Sequence, residues 1–262
     1  MIISKKKTKG SNKMQQYVVA NWKMYLNTRD AHKLSESMAK KMQEAERPLP
    51  KLVLCPSFPH LIPVFNNIKG TAISLGAQNC HTENNGPHTG EVGPEQLKDI
   101  QAEYVIIGHS ERRRHHNESS EEIKRKLEAV IAHGMIPILC VGETIEERRS
   151  GKTIKKIEQQ LRDETPEEFT PNQLIIAYEP VWSIGTNITP TEKEIEDVHG
   201  AIQYELQQLQ PNGNLVPILY GGSVHTQNAA TILKCSCVHG LLVGRHAINA
   251  ENLWAVVTAA EE

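Results

Sequence analysis

Eight short apolar, β-branched runs recur along the chain, each separated from the next by a longer charged and amphipathic stretch. They are Tyr17–Ala20, Leu52–Cys55, Ile73–Gly76, Tyr104–Gly108, Ile136–Val141, Leu174–Tyr178, Val216–Tyr220 and Gly240–Gly244. Their apolar character is continuous rather than alternating, as expected of strands covered on both faces in a parallel sheet. The stretches between them read as helices, among them Arg29–Glu46, Glu121–His133, Thr144–Arg162, Glu192–Leu209 and Thr226–Leu233. No glycine-rich fingerprint of a doubly wound sheet follows Ala20, so eight strands with intervening helices predict one closed (β/α)₈ barrel. A chain of 262 residues suits a single barrel of that kind.

Charge divides the chain unevenly. The net charge is −2, yet Lys5, Lys6, Lys7, Lys9 and Lys13 stand in the first thirteen residues without one acid. Residues 1–13 are therefore expected to form a basic, disordered extension, and residues 14–262 the barrel. The barrel itself is acidic, which gives it no global attraction for nucleic acid or an anionic membrane surface. No apolar run is long enough for a signal peptide or a membrane span. Five cysteines, odd in number and set on or beside apolar runs, fit reduced thiols and a cytoplasmic address.

In a barrel of parallel strands every C-terminal strand end opens on one face, so the residues just beyond the runs become neighbours whatever their distance in sequence. Strand one is followed by Asn21-Trp22-Lys23, strand four by His109-Ser110-Glu111-Arg112, strand six by Glu179, and strands seven and eight by Gly221-Gly222-Ser223 and Gly244-Arg245. Glu179 would be a carboxylate at the mouth of an apolar barrel, where desolvation raises its pKa toward that of a useful general base. From its position alone it could equally be half of a strand-end ion pair. His109, before a helix expected to begin at Ser110, would face a positive helix terminus that disfavours imidazolium, leaving a neutral ring able to donate to a substrate oxygen. Lys23 could hold an oxyanion or simply be solvated, and the two glycine-containing loops could cradle an anion or simply turn the chain. The apolar segment Val181-Trp182-Ser183-Ile184, flanked by Pro180 and Gly185, reads as a lid, with a packed corner as its plainer alternative.

Asn21-Trp22-Lys23-Met24, Gln78-Asn79, Thr89-Gly90-Glu91, Gly108-His109-Ser110-Glu111-Arg112-Arg113, Cys140-Val141-Gly142-Glu143, Tyr178-Glu179-Pro180-Val181-Trp182, Ile184-Gly185-Thr186 and Tyr220-Gly221-Gly222-Ser223-Val224 resemble the signature blocks of the triosephosphate isomerase family, in the family's order and spacing. The resemblance covers the chain from about Gln15 onward. It implies interconversion of dihydroxyacetone phosphate and D-glyceraldehyde 3-phosphate without metal or organic cofactor, in a cytosolic homodimer serving glycolysis and gluconeogenesis. It further implies Glu179 as the base, His109 as electrophile and proton donor, and Lys23 with Asn21 as charge stabilisers. Ser110 and Glu111 are expected to support them. Gly185, Gly222, Ser223, Gly244 and Arg245 take the phosphate-loop positions, and Thr89, Glu91 and Arg112 those of the dimer interface.

The chain departs from the family pattern at Tyr25, Pro87-His88, Ser183, Asn187 and above all Arg245, where a second glycine is usual. An arginine there is also similar to isomerases of phosphorylated tetruloses, which stand as the alternative substrate class. Two readings from other classes are a Schiff-base aldolase through Lys23, which the carboxylate at the end of strand six opposes, and a non-catalytic binding barrel. A metal site on Cys235, Cys237 and His239 would lack a fourth ligand, so buried thiols are the expected reading.

Overall fold

The computed structural model describes residues 14–186 and 188–259. The basic extension assigned to residues 1–13 and the lid position Asn187 thus lie outside the described residues. Eight parallel strands close in sequential order into one barrel: β1 (Tyr17–Asn21), β2 (Lys51–Cys55), β3 (Ser74–Ala77), β4 (Tyr104–Ile107), β5 (Ile136–Val141), β6 (Ile175–Tyr178), β7 (Ile218–Tyr220) and β8 (Gly240–Val243). Closure is made by β1 and β8, with Tyr17 opposite Gly240 and Ala20 opposite Val243. Gly240 is required at that seam, because a Cβ there would lie 2.2 Å from the Tyr17 carbonyl oxygen. The expected barrel and all eight strands are present.

Around the barrel run α1 (Thr28–Glu44), α2 (Leu61–Ile68), α3 (Pro94–Asp99), α4 (Ser110–His116), α5 (Ser120–Ala132), α6 (Ile145–Arg149), α7 (Thr153–Glu164), α8 (Glu192–Leu209), α9 (Ala229–Lys234) and α10 (Ala250–Thr258). The helix expected over Thr144–Arg162 is two helices, not one. Gly151, with φ 67°, turns the chain between α6 and α7, and Thr144 caps α6 while Glu147 bonds back to the Thr144 amide. Such a left-handed glycine ends the first helix even though the charged pattern runs through it.

The alternation of side chains along each strand builds two cores. Val18, Ala20, Leu52, Leu54, Val105, Ile107, Ile176 and Tyr178 belong to the layer under the helices. Val19, Val53, Cys55, Tyr104, Ile106, Ile138, Cys140, Ile175, Ala177, Leu219 and Leu242 form a second cluster and fill the barrel. Two residues farther along each strand, the inward row continues into the mouth. From Val19 it reaches Asn21, from Cys140 Gly142, from Ala177 Glu179, from Leu219 Gly221 and from Leu242 Gly244. The period of two thus aims Glu179 inward and places glycines on both neighbouring strands beside it.

Candidate active site

Those two glycines make the space in which Glu179 sits. A Cβ on Gly142 would lie 1.8 Å from the Glu179 carbonyl oxygen, and one on Gly221 would lie 3.0 Å from Glu179 Cγ. The carboxylate is 2% exposed, the burial expected of a residue at the barrel mouth. Its Oε1 lies 3.0 Å from His109 Nε2, and its Oε2 accepts the Ser110 backbone N–H at 3.0 Å. Burial by itself raises the Glu179 pKa, but His109, the Ser110 amide and Lys23 together outweigh it and hold the carboxyl below the ordinary carboxylate range. This corrects the expectation of a raised pKa. Desolvation was legible in the apolar strand, whereas the compensating donors come from a different strand end.

His109 caps α4. Its Nδ1 accepts the Glu111 backbone N–H at 3.2 Å, which leaves the ring proton on Nε2, the nitrogen that faces Glu179. The helix terminus therefore selects the tautomer, and a ligand oxygen in the mouth would meet an N–H donor. Lys23 is held in a left-handed conformation with φ 50°, unusual for a residue with a side chain. Asn21 Oδ1 accepts the Lys23 N–H at 3.0 Å, and Gln78 Nε2 donates to the Lys23 carbonyl at 2.9 Å. The ammonium of Lys23 then reaches across to Glu111 Oε1 at 2.6 Å. Asn21 thus fixes the turn that aims the cation at the mouth.

Every residue expected at the catalytic and phosphate positions lines one cavity of about 310 Å³: Asn21, Lys23, His109, Ser110, Glu111, Glu179, Gly185, Gly222, Ser223, Gly244 and Arg245. The segment after Glu179 closes one side. Val181 and Ile184 line the cavity, which favours a lid over a packed corner. Its tryptophan is anchored, since Trp182 Nε1 donates to Glu143 Oε1 at 2.8 Å and the Arg148 guanidinium stacks 4.0 Å over the indole. Tyr178 OH donates to the same carboxylate, whose pKa is raised by burial. The far end of the segment touches the β7 loop, where the Ser223 N–H donates to Ser183 Oγ and Ser223 Oγ donates to the Thr186 carbonyl. Ser183 supplies that acceptor.

Thr89 and Glu91 do not join this cavity; both are exposed in the loop between Gln78 and α3. Arg112 lines an adjoining cavity of about 600 Å³ with Lys23, Met24 and Tyr25, and its guanidinium pairs with buried Glu118, which also holds Lys126 at 2.6 Å. Met24 stands 93% exposed at that rim. Four cavity residues were not anticipated: Arg114, His115, His225 and His246. His225 and His246 follow the two glycine loops closely enough for the strand-end rule to have included them. Arg114 lies one helical turn beyond Ser110 on α4. Cys235, Cys237 and His239 each have separate partners in Thr231, Gln203 and Ile218, and among the described residues no group of histidines, cysteines and carboxylates is placed to hold a metal.

The family model described as triosephosphate isomerase matches residues 16–260. The chain belongs to the triosephosphate isomerase family. It is 38% identical over 248 residues to the triosephosphate isomerase of Gluconacetobacter diazotrophicus, covering 94% of this chain and 99% of that one. With the triosephosphate isomerase of Aquifex aeolicus it shares 40% identity over 246 residues, covering 93% and 99% of the two chains. A crystal structure of triosephosphate isomerase from Bartonella henselae superimposes with a TM-score of 0.85 at 31% identity, covering 95% of this chain and all of that one. The match with triosephosphate isomerases therefore takes in the whole barrel and every strand end that lines the cavity.

Proposed function

We propose that this chain interconverts dihydroxyacetone phosphate and D-glyceraldehyde 3-phosphate by proton transfer through an enediolate. The observation that carries the reading is the pairing of Glu179 with His109 Nε2 at the mouth of the barrel, beside Lys23 and the glycine loops. Glu179 is the base that takes a proton from the carbon next to the carbonyl and returns it to the neighbouring carbon. His109 Nε2–H donates to the two oxygens in turn, and the Lys23 ammonium, turned away from Glu111, offsets the charge of the enediolate. The amides at Gly185, Gly222, Ser223, Gly244 and Arg245 hold the phosphate.

Before it can act, Glu179 has to leave the Ser110 amide and face the substrate. Closure of Val181 and Ile184 over it would leave burial as the dominant influence and raise its pKa toward that of a working base. The same closure protects the enediolate from loss of phosphate. Metal and organic cofactors have no part in this scheme. The working unit is a homodimer in which the loop bearing Thr89 and Glu91 enters the cavity of the partner at Met24, Tyr25 and Arg112. All five cysteines are free, four of them buried, which supports a cytoplasmic setting. Among the described residues no helix is long and apolar enough to cross a membrane.

Steady-state isomerisation of D-glyceraldehyde 3-phosphate beside a tetrulose phosphate tests the reading. A kcat/KM higher for the triose by orders of magnitude is expected. Preference for the tetrulose would overturn the substrate and leave the proton-transfer roles in place, and no turnover of either would overturn the reading as a whole.

A further inference from the structure

The cavity wall made by the loops after β7 and β8 carries more hydrogen-bonding side chains than a single phosphate in an amide cradle requires. Arg245, His225 and His246 all line the cavity there. The carboxylates that line the cavity, Glu111 and Glu179, are engaged elsewhere, with Lys23 and His109 respectively. Among the described residues no ion pair holds the exposed Arg245. The two histidine rings face each other obliquely with centroids 5.9 Å apart, and His246 Nδ1 is buried without a hydrogen-bond partner. This wall is also braced against the cradle. The His225 N–H donates to Asn228 Oδ1 at 2.8 Å, and Asn228 Nδ2 donates to the Ser223 carbonyl at 2.8 Å, so His225 and Ser223 are held in one rigid loop.

Two imidazoles and a guanidinium line the same cavity, and each can donate a hydrogen bond to an anion that enters it. Burial, with His225 and Arg245 as neighbours, already pushes the His246 pKa below its ordinary value, and a bound anion would reverse that pressure. The backbone amides at Gly185, Gly222, Ser223, Gly244 and Arg245 are assigned to the first phosphoryl group, and the side chains of His225, Arg245 and His246 are left to meet a second.

We infer that His225, Arg245 and His246 form a second anion subsite beside the amide cradle, suited to a ligand that carries another phosphoryl or carboxylate group next to the one the cradle holds. The inference rests on the proposed assignment of the cradle to phosphate. Such a ligand occupies the mouth of the barrel and competes with substrate.

Calorimetric titration of the full chain with inorganic phosphate and with inorganic pyrophosphate, at fixed ionic strength, tests it. Pyrophosphate should bind at least about tenfold more tightly, the effect of one added charge-assisted contact. The double variant His225→Asn with His246→Asn should bring the two affinities to within about twofold, and each single variant, should the double one not fold, should remove part of the difference. Equal affinities in the unaltered chain would overturn the subsite, as would a preference that survives in the histidine variants or disappears on Arg114→Ala alone. Turnover is read separately, in the steady-state assay that tests the proposed reaction. A chain that lacks isomerase activity but prefers pyrophosphate through the histidines upholds the subsite and overturns the proposed reaction, whereas an active chain without the preference overturns the subsite alone.

Discussion

Glu179 illustrates how little room the reaction has for error at the scale of one residue. Both neighbouring strands present glycine to it, and its two oxygens are each held by a separate donor from the start of α4. Replacing Glu179 by Gln keeps the size and the contact with Ser110 but removes the proposed base. It should lower kcat by about 10²–10⁴-fold with a circular dichroism spectrum unchanged, and a normal rate would refute the assignment. Gly221→Ala probes the space instead of the charge. A methyl 3.0 Å from Glu179 Cγ must displace the side chain, so kcat is expected to fall by about ten- to a hundredfold while the melting temperature moves little. The direction of the Glu179 pKa was the part of this residue that reading along the chain missed, because His109 lies seventy positions away and becomes a neighbour only in the closed barrel.

At the scale of elements, the proposed lid is anchored by helices packed against it. Thr191 caps α8 by accepting the Glu194 N–H while the Glu194 carboxylate bonds back to the Thr191 N–H. Glu194 also pairs with Arg148 of α6, whose guanidinium stacks on Trp182. One cap is therefore shared between a helix start and the anchor of the proposed lid. Thr191→Ala should reduce stability by about 1 kcal/mol, read as a shift of the urea midpoint at unchanged slope. No shift would mean that the cap is replaced by water without loss. The boundaries of α8 were read correctly from its periodicity, as far as Glu192 and Leu209. The break between α6 and α7 was not, since a helical charge pattern says nothing of a glycine at positive φ until the backbone is seen.

For the whole molecule, one buried histidine outside the site sets a pH limit. His199 is fully buried against Tyr178, its Nδ1 lies 3.0 Å from the Cys237 carbonyl, and burial holds its pKa down at about 4. In the unfolded chain the same ring takes up a proton below its ordinary value of 6.5. The unfolded state binds more protons in that window, so stability is complete above about pH 6.5 and is lost as the pH falls toward 4. Between pH 7 and 5 the loss from this group should be about 2 kcal/mol. His199→Gln should flatten that part of the curve in denaturant titrations, and an unchanged slope would assign the acid sensitivity elsewhere. The other test at this scale concerns the basic extension. Deleting residues 1–13 should leave kcat/KM unaltered, and a large fall would show that those lysines take part in the work of the barrel.

The run of eight apolar strands, their parallel order and the set of polar residues at their ends were all determined by the linear order of residues, because a period of two and a change to helical spacing are local properties. So was the identity of the candidate base, cation and imidazole, once the runs were taken as strands of one barrel. Only the tertiary structure decided how these groups act on one another. It placed His109 and the Ser110 amide against Glu179 and so lowered a pKa that burial alone would raise. It bent Lys23 into a left-handed turn under Asn21 and Gln78, and it gathered His225, Arg245 and His246 on one wall. Those outcomes depend on distances of a few ångströms between residues far apart in the chain, and electrostatic and hydrogen-bond energies vary steeply over that range, whereas hydrophobic periodicity does not.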